Sequence, residues 1–256
     1  MLEPLGCKPK TYNSFFAVMF GYLRNLGIPR SGEILRGATL ATYENISFEK
    51  SFGTIVSERV IDLLMLLLIM GWSVVLQADE IMQFFSEYEI NVWAGIGLLF
   101  VLLGLFYAGI LILRKLNSPL LAKVKSFFEG MWEGMISIGG MKHKKMFILH
   151  TFIIWGMYIA IFWIVKFSIP EVATLSLGPI LVAFIVGSFS ISITSGGIGL
   201  YPIAVAYSLQ LFGVEKEAGE AFGWVLWVTQ TLLVIVLGVV AAILLPVLNK
   251  KKKLSS

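Results

Sequence analysis

The chain is poor in the residues that build metal, redox and most catalytic sites: it has one cysteine, Cys7, and two histidines, His143 and His150. A single cysteine excludes an internal disulfide framework. The two histidines, one in a Lys-rich stretch and one at a helix start, lack the spacing of a metal-ligand set. No metal and no cofactor is expected. Charge is scarce as well: Asp, Glu, Lys and Arg make up 14% of the residues, against about 25% in an ordinary soluble domain. No polar stretch is long enough to fold as a separate soluble catalytic domain, and no nucleophile–base pair stands out. The chain is therefore not expected to be an enzyme, and an intramembrane transferase ranks last among the functional readings. The net charge of +4 suits basic loops on one side of a membrane and does not point to nucleic acid. Residues 1–10 hold no apolar core of a secretion signal, so the spans themselves are expected to direct insertion.

What the chain has instead is apolar length, with 57% hydrophobic residues and a mean hydropathy of +0.86. The expected fold is an all-α integral membrane protein, a polytopic helical bundle forming a single transmembrane domain over 1–256. Full spans are expected at 54–76, 91–113, 146–169 and 222–248, since about 20 apolar residues cross a ~30 Å hydrocarbon core. The stretch 77–89 carries Asp79, Glu80, Glu87 and Glu89 without Lys or Arg, and should face outward. The connection after Arg114-Lys115 carries Lys123, Lys125, Lys142, Lys144 and Lys145, and should face inward. Within it, Leu116, Leu120, Val124, Phe127, Phe128 and Met131 recur at helical spacing opposite Lys123, Lys125, Glu129 and Glu133, which predicts an interfacial helix over about 116–136. Lys250, Lys251, Lys252 and Lys253 place the C-terminus in the cytoplasm.

Two apolar stretches do not fit a simple span. The first, 13–43, has an apolar run of only 15–23, and Arg24, Asn25, Gly27, Pro29 and Gly32 separate it from the second short run. Two readings stand: a hairpin that dips into the membrane, or an amphipathic pair on its surface. Ser47 then resembles a helix entry. The second stretch, 178–212, is interrupted by Thr194-Ser195-Gly196-Gly197-Ile198-Gly199 and by Pro202. If it crossed once, the final span would leave the terminal lysines outside, so the charge rule prefers a re-entrant hairpin. In each half a broken pair thus precedes a full span, from opposite sides. That is the plan of an inverted-topology repeat, in which broken helices mark a substrate site; the competing reading is that the glycines serve packing.

Candidate site residues cluster in two places. Arg30, Glu33 and Arg36 lie just before the span that opens with Glu58, Arg59 and Asp62. On a helix, Asp62 pairs with Arg59 at i,i+3. Glu58 needs another cation, for which Arg30 and Arg36 are candidates, so two or three ion pairs could join the motif to the span. With Glu58 in the first two turns of the span, the set also reads as a solvated helix start, because a charge at the bilayer centre costs about 2.5–3.5 kcal/mol. The surplus of arginine favours an anionic headgroup. The second cluster is Ser195, Gly196, Gly197 and Gly199. A half-helix starting at Gly199 would aim unpaired N–H groups at a phosphate or carboxylate oxygen, with Pro202 tolerated in the first turn. On that reading Gly197→Ala should weaken anionic-lipid binding without lowering the stability of the unliganded protein.

These motifs in their order, Ile28-Pro29-Arg30-Ser31-Gly32-Glu33 with Arg36, Ser57-Glu58-Arg59 with Asp62, and Ser195-Gly196-Gly197-Ile198-Gly199, resemble the transmembrane region of lysylphosphatidylglycerol synthases and related flippase-like membrane proteins. The resemblance covers nearly all of the chain. The late motif of the family usually reads Pro-Gly-Gly-x-Gly with a Glu three residues on. Here Ser195 replaces the Pro and Pro202 stands at the Glu position, so the role of that carboxylate is not carried over. The family usually has two more spans before the first motif, so the reading frame is expected to extend upstream of Met1. The aminoacyl-transferring domain of the synthases is soluble and follows this region, so lysyl transfer is not carried over either. What the resemblance implies is a flippase or transporter of an anionic lipid or polyprenyl-linked substrate across the cell membrane, with membrane lipids as its partners. The alternative is a non-transporting membrane partner of a glycosyltransferase or lipid synthase.

Overall fold

A computed structural model describes residues 6–78 and 140–250, together with Leu2, Val101 and Gly104. Of the expected span 91–113 only those last two are described, and the acidic stretch 79–89 and the expected interfacial helix 116–136 lie outside the described residues. Every regular element among the described residues is helical: α1 (Thr11–Gly27), α2 (Ser31–Glu44), α3 (Phe48–Leu76), α4 (Lys144–Val165), α5 (Pro170–Ala173), α6 (Leu177–Ile193), α7 (Leu200–Gln210) and α8 (Lys216–Leu248), with a 3-10 turn Lys166–Ser168 after α4. Three of them, α3, α4 with its 3-10 turn, and α8, are long and apolar enough to cross a membrane. The protein is an all-α integral membrane protein.

The start of α3 sets the depth of its charged residues. Ser47 caps the helix, its hydroxyl accepting the Lys50 N–H at 3.4 Å, and Glu49 follows in the first turn, where a carboxylate meets the positive end of the helix dipole. The cap makes residues 48–53 part of the same helix as the span, so Glu58 lies about 15 Å from its start at 1.5 Å per residue. Glu58, Arg59 and Asp62 are therefore not in the first two turns, where hydropathy by itself puts them.

The helix α8 organises the packing. Gly219 and Gly223 stand four residues apart on one face, and Cβ atoms added there would come within 2.8 Å of Ala206 Cα and 2.6 Å of Pro202 Cα, so α7 rests backbone to backbone on the first half of α8. Close approach of this kind is how helices associate in lipid, where burial of apolar surface supplies no drive. On the second half, Gly238 lies against the Leu23 side chain and the Met19 carbonyl of α1. At the far end Asn13 and Asn249 exchange amide hydrogen bonds of 3.0 and 2.8 Å, and Asn13 also donates to Glu44 Oε1 at 2.5 Å. Thus α1 and α7 lie along α8 from its two ends, each with its hairpin partner, α2 or α6, packed against it. At roughly 25, 21, 25 and 16 Å in chain order, these four helices are each shorter than a ~30 Å hydrocarbon core, and both pairs turn back.

The two turns meet. Leu26 packs against Gly196, and Arg30 Nη2 reaches the Ser192 carbonyl at 3.4 Å. The core beside them is aromatic: Phe184 of α6 takes Trp155 and Phe162 of α4 edge to face, with ring centroids 6.1 and 5.4 Å away, and Phe162 meets Phe222 of α8 at 6.0 Å. Trp155 and Phe162 are the buried face of α4, while Ile148, Phe152, Met157, Ile161 and Ile164 are exposed, as a lipid-facing surface requires. Net charge differs between the ends. Lys8, Lys10, Lys50, Lys142, Lys144, Lys145 and Lys250 lie where α1, α3 and α4 begin and α8 finishes, with Glu44 and Glu49 among them, and Glu171, Glu215, Glu217 and Glu220 lie at the other end with Lys166 and Lys216. Lys166 at that acidic end is buried, its ammonium donating to the Leu175 carbonyl at 2.6 Å and sitting 3.6 Å from the Trp163 ring centroid, so a carbonyl and a π face replace water around it.

Candidate functional site

The first charged motif is built by the turn between α1 and α2. Arg30 adopts φ 58, Ser31 Oγ donates to the Ile28 carbonyl at 2.7 Å, and Asn25 Oδ1 accepts the Gly32 N–H at 2.7 Å, satisfying a first-turn donor of α2. Gly32 sits directly on the Gly21 carbonyl. That contact seats α2 close to α1, and Gly37 seats it against Phe48 of α3, 3.2 Å from the ring for an added Cβ.

This packing brings Arg36 opposite Glu58. The guanidinium engages both carboxylate oxygens, Nη1 with Oε2 and Nη2 with Oε1 at 2.8 Å, and both side chains are largely buried, 21% and 26% exposed. Such a two-pronged charged pair is among the stronger protein hydrogen-bond arrangements. Arg59 meets Asp62 at 3.1 Å, the i,i+3 pair expected from spacing. Arg30 is not the cation for Glu58, because it points to Ser192 at the opposing turn. One ion pair, not two or three, therefore joins the motif to α3. Glu33 is left over: its Oε2 and the Nε of Arg36 are buried with no hydrogen-bond partner among the described residues. The residue as a whole is half-buried, and its place in the first turn of α2 favours a carboxylate by about 0.3–1 kcal/mol.

Two cavities adjoin this cluster. The larger, about 600 Å³, opens at the basic end, with Lys8, Arg36, Thr54, Glu58, His150 and Thr151 supplying polar walls and Phe147 and Ile154 apolar ones. It is an open cleft rather than an enclosed cavity. The smaller, about 20 Å³, lies between α1 and α2 beside Tyr22, Asn25, Glu33, Arg36 and Arg59. Arg36 borders both.

The glycine cluster is a tight turn between α6 and α7. Gly196, Gly197 and Gly199 have φ of 65, 81 and 73, a region that glycine alone enters without strain. The Leu200 N–H donates to the Ile198 carbonyl and the Tyr201 N–H to the Gly197 carbonyl, both at 2.9 Å, and Pro202 has no N–H. The first donors of α7 itself are therefore taken within the turn. The Gly196 carbonyl accepts the Trp227 indole N–H at 2.8 Å. Gly197 is buried, and a Cβ there would meet Tyr201, Ile191 and Trp227 at 3.0, 3.2 and 3.3 Å. Gly199 faces open space, and Ser195 stands in the turn beside Gly196. The expectation that Gly197→Ala spares the unliganded protein is accordingly reversed: it should lose stability by about 1–3 kcal/mol from overpacking. Thermal unfolding in detergent should show a larger loss for Gly197→Ala than for Gly199→Ala, which carries only the backbone strain. Equal losses would remove the packing role.

Some of the residues that build the site carry a signal in the sequence and others do not. The Gly219-x-x-x-Gly223 spacing is legible as a close-packing motif. Asn13 and Asn249, 236 positions apart, carry no local pattern that would pair them. A model of the family described as the lysylphosphatidylglycerol synthase TM region matches residues 1–238. The chain belongs to that family. Membership ties this lysylphosphatidylglycerol synthase TM region protein to membrane lipids. Comparison with curated proteins and with solved structures returned no match.

Proposed function

We propose that this protein moves an anionic lipid, or a lipid carrying a phosphate-linked headgroup, between the leaflets of the cell membrane, with its basic end in the cytoplasm. The observation that carries the reading is the pairing of two opposed hairpins that meet turn to turn with a ~600 Å³ cavity on the basic side, whose polar wall includes the Arg36–Glu58 pair. Lys8 and His150 at the cavity and the guanidinium of Arg36 suit a phosphate. Glu58 holds Arg36 in place until the headgroup takes over part of its hydrogen bonding. The contact between the turns is light, one long hydrogen bond from Arg30 to Ser192 and the apolar seat of Leu26 on Gly196, so parting them disrupts little.

The test is lipid movement in proteoliposomes carrying phosphatidylglycerol with a fluorescent label, quenched from outside by a membrane-impermeant reductant. The protein should let the reductant bleach well beyond the outer-leaflet half, faster for the anionic lipid than for a neutral one. Bleaching that stops at half, as in protein-free liposomes, would overturn the reading. If labelled lipid still bound, the protein would fit instead a membrane partner that presents lipid to a glycosyltransferase or lipid synthase.

A further inference from the structure

Three helices carry polar groups at matching spacing along the cleft. On α3 these are Thr54, Glu58 and Asp62, and on α4 His150 and Tyr158 flank Ile154, each four residues from the last and so on one face. On α1, Ser14 and Tyr22 stand two such steps apart. The first members of the three sets, Ser14, Thr54 and His150, share the wall of the large cleft at the basic end. The last members meet as well, for Tyr158 lies beside Tyr22 and Asp62 with Arg59 at hand. The stripes therefore run in register over about 12 Å, at 1.5 Å per residue, from the cleft toward the level where the two hairpin turns meet.

Arg59 holds the far end of this track. Its Cα lies about 16 Å along α3 from the basic end, and it lines the small cavity with Tyr22 and Asn25. Those two residues lie about 16 and 21 Å along α1 from the same end, so the side chain does not fold back to the basic surface. Arg36 is engaged by both oxygens of Glu58. Arg59, by contrast, has a single ion pair among the described residues, to Asp62 on its own helix at 3.1 Å, and the two side chains are 50% and 38% exposed. Tyr22 and Tyr158 are exposed too. A guanidinium carries five N–H donors, most of which that pair leaves over. Charge at such depth faces a watery cavity or a polar ligand, not hydrocarbon. The wider cluster is balanced, Arg30, Arg36 and Arg59 against Glu33, Glu58 and Asp62, so it draws a ligand by directed donors and acceptors, not by excess charge.

We infer that Arg59, Asp62, Tyr22 and Tyr158 form a second headgroup site, one step deeper in the membrane than the cleft, which takes a phosphate bearing a hydroxylated headgroup. The inference rests on the transport reading above. Arg59 holds the phosphate, while Asp62 accepts hydrogen bonds from the hydroxyls and the two phenols donate to or accept from them. An amine headgroup fits worse, because Asp62 already has its cation and Arg36 and Arg59 line the same small cavity. The cleft receives the headgroup at the basic end and the track passes it to mid-membrane, its acyl chains staying in lipid.

The experiment uses the full chain in liposomes with tail-labelled phosphatidylglycerol, phosphatidic acid, which has the phosphate alone, and phosphatidylethanolamine. The wild type should move phosphatidylglycerol fastest. Tyr158→Phe removes one hydroxyl and keeps the ring, and should lower the ratio of phosphatidylglycerol to phosphatidic acid rates by roughly two- to tenfold, the worth of one hydrogen bond. Cysteine labelling in a Cys7→Ser background supplies a readout that needs no transport, using a charged thiol reagent that does not enter hydrocarbon. Tyr158→Cys should react, and more slowly once short-chain phosphatidylglycerol is added. Met157→Cys, on the lipid-facing side of α4, should not react. Phosphatidic acid or phosphatidylethanolamine moved as fast as phosphatidylglycerol would overturn the hydroxylated class, and an unchanged ratio in Tyr158→Phe would remove Tyr158 from the site. A Tyr158→Cys protein that stays unreactive, or that short-chain lipid does not protect, would overturn the deeper site while leaving the transport reading intact. Absence of any lipid movement would overturn the transport reading, and protection of Tyr158→Cys would then decide by itself whether the site holds the headgroup.

Discussion

Arg36→Ala is expected to destabilise the protein by about 3 kcal/mol, the lower end of the range for breaking a buried ion pair, since about a quarter of each side chain is exposed. The loss comes less from the attraction removed than from Glu58, left without a cation about 15 Å into a membrane-spanning helix. Replacing both partners by apolar residues of similar size removes that penalty, because an apolar pair needs no desolvation. The double variant Arg36→Met with Glu58→Leu should therefore recover most of the thermal stability that Arg36→Ala loses. It should not recover transport of labelled phosphatidylglycerol, since the cavity then lacks its guanidinium. Thermal unfolding in detergent and the liposome assay read the two effects separately. An Arg36→Ala protein as stable as the wild type would mean that water reaches the pair freely, and that the cavity wall is an ordinary solvated surface. A double variant that transports normally would remove Arg36 from headgroup binding.

Gly32→Ala is expected to have an effect at least as large, by a different route. The added methyl would fall on the Gly21 carbonyl oxygen and 2.7 Å from Asn25 Oδ1. Overpacking in a core costs about 1–3 kcal/mol when side chains can yield. Here the principal obstacle is backbone, so α1 and α2 must part, and with them go the Gly32 N–H to Asn25 bond and the seat that presents Arg36 to Glu58. Gly27→Ala and Gly71→Ala are the controls, because nothing lies within 4 Å of a Cβ at either position and alanine is the better helix former. Gly32→Ala should accumulate poorly in membranes and unfold at lower temperature, with both controls close to wild type. Comparable behaviour of all three would show that α1 and α2 are not held at the distance described.

The membrane class, the long apolar helices and the places where they break are legible in the amino-acid sequence alone. Each rests on local information: apolar length against hydrocarbon thickness, Gly and Pro as breakers, Ser47 as a cap. The i,i+3 pair Arg59–Asp62 is legible for the same reason, as helical geometry fixes that distance whatever surrounds it. The depth of Glu58 is not, because hydropathy falls at Glu49 and Lys50 while the helix continues from its cap.

What only the tertiary structure decided are relations between residues remote in the chain. Arg36 rather than Arg30 takes Glu58 because Gly21 and Gly32 let α2 sit close to α1, while Arg30 lies in the turn that faces Ser192, 162 positions away. The glycine turn became a packing point because Tyr201, Trp227 and Leu26 converge on it from three helices. That Glu33 keeps an enclosed Oε2 without a hydrogen-bond partner among the described residues is likewise a tertiary fact. Sequence determines which charges and breaks exist and how neighbours within a turn or two relate, because bonded geometry carries that far. Which cation meets which carboxylate, and which backbone meets which ring, depends on how closely helices can approach, and that is settled by contacts no local pattern encodes.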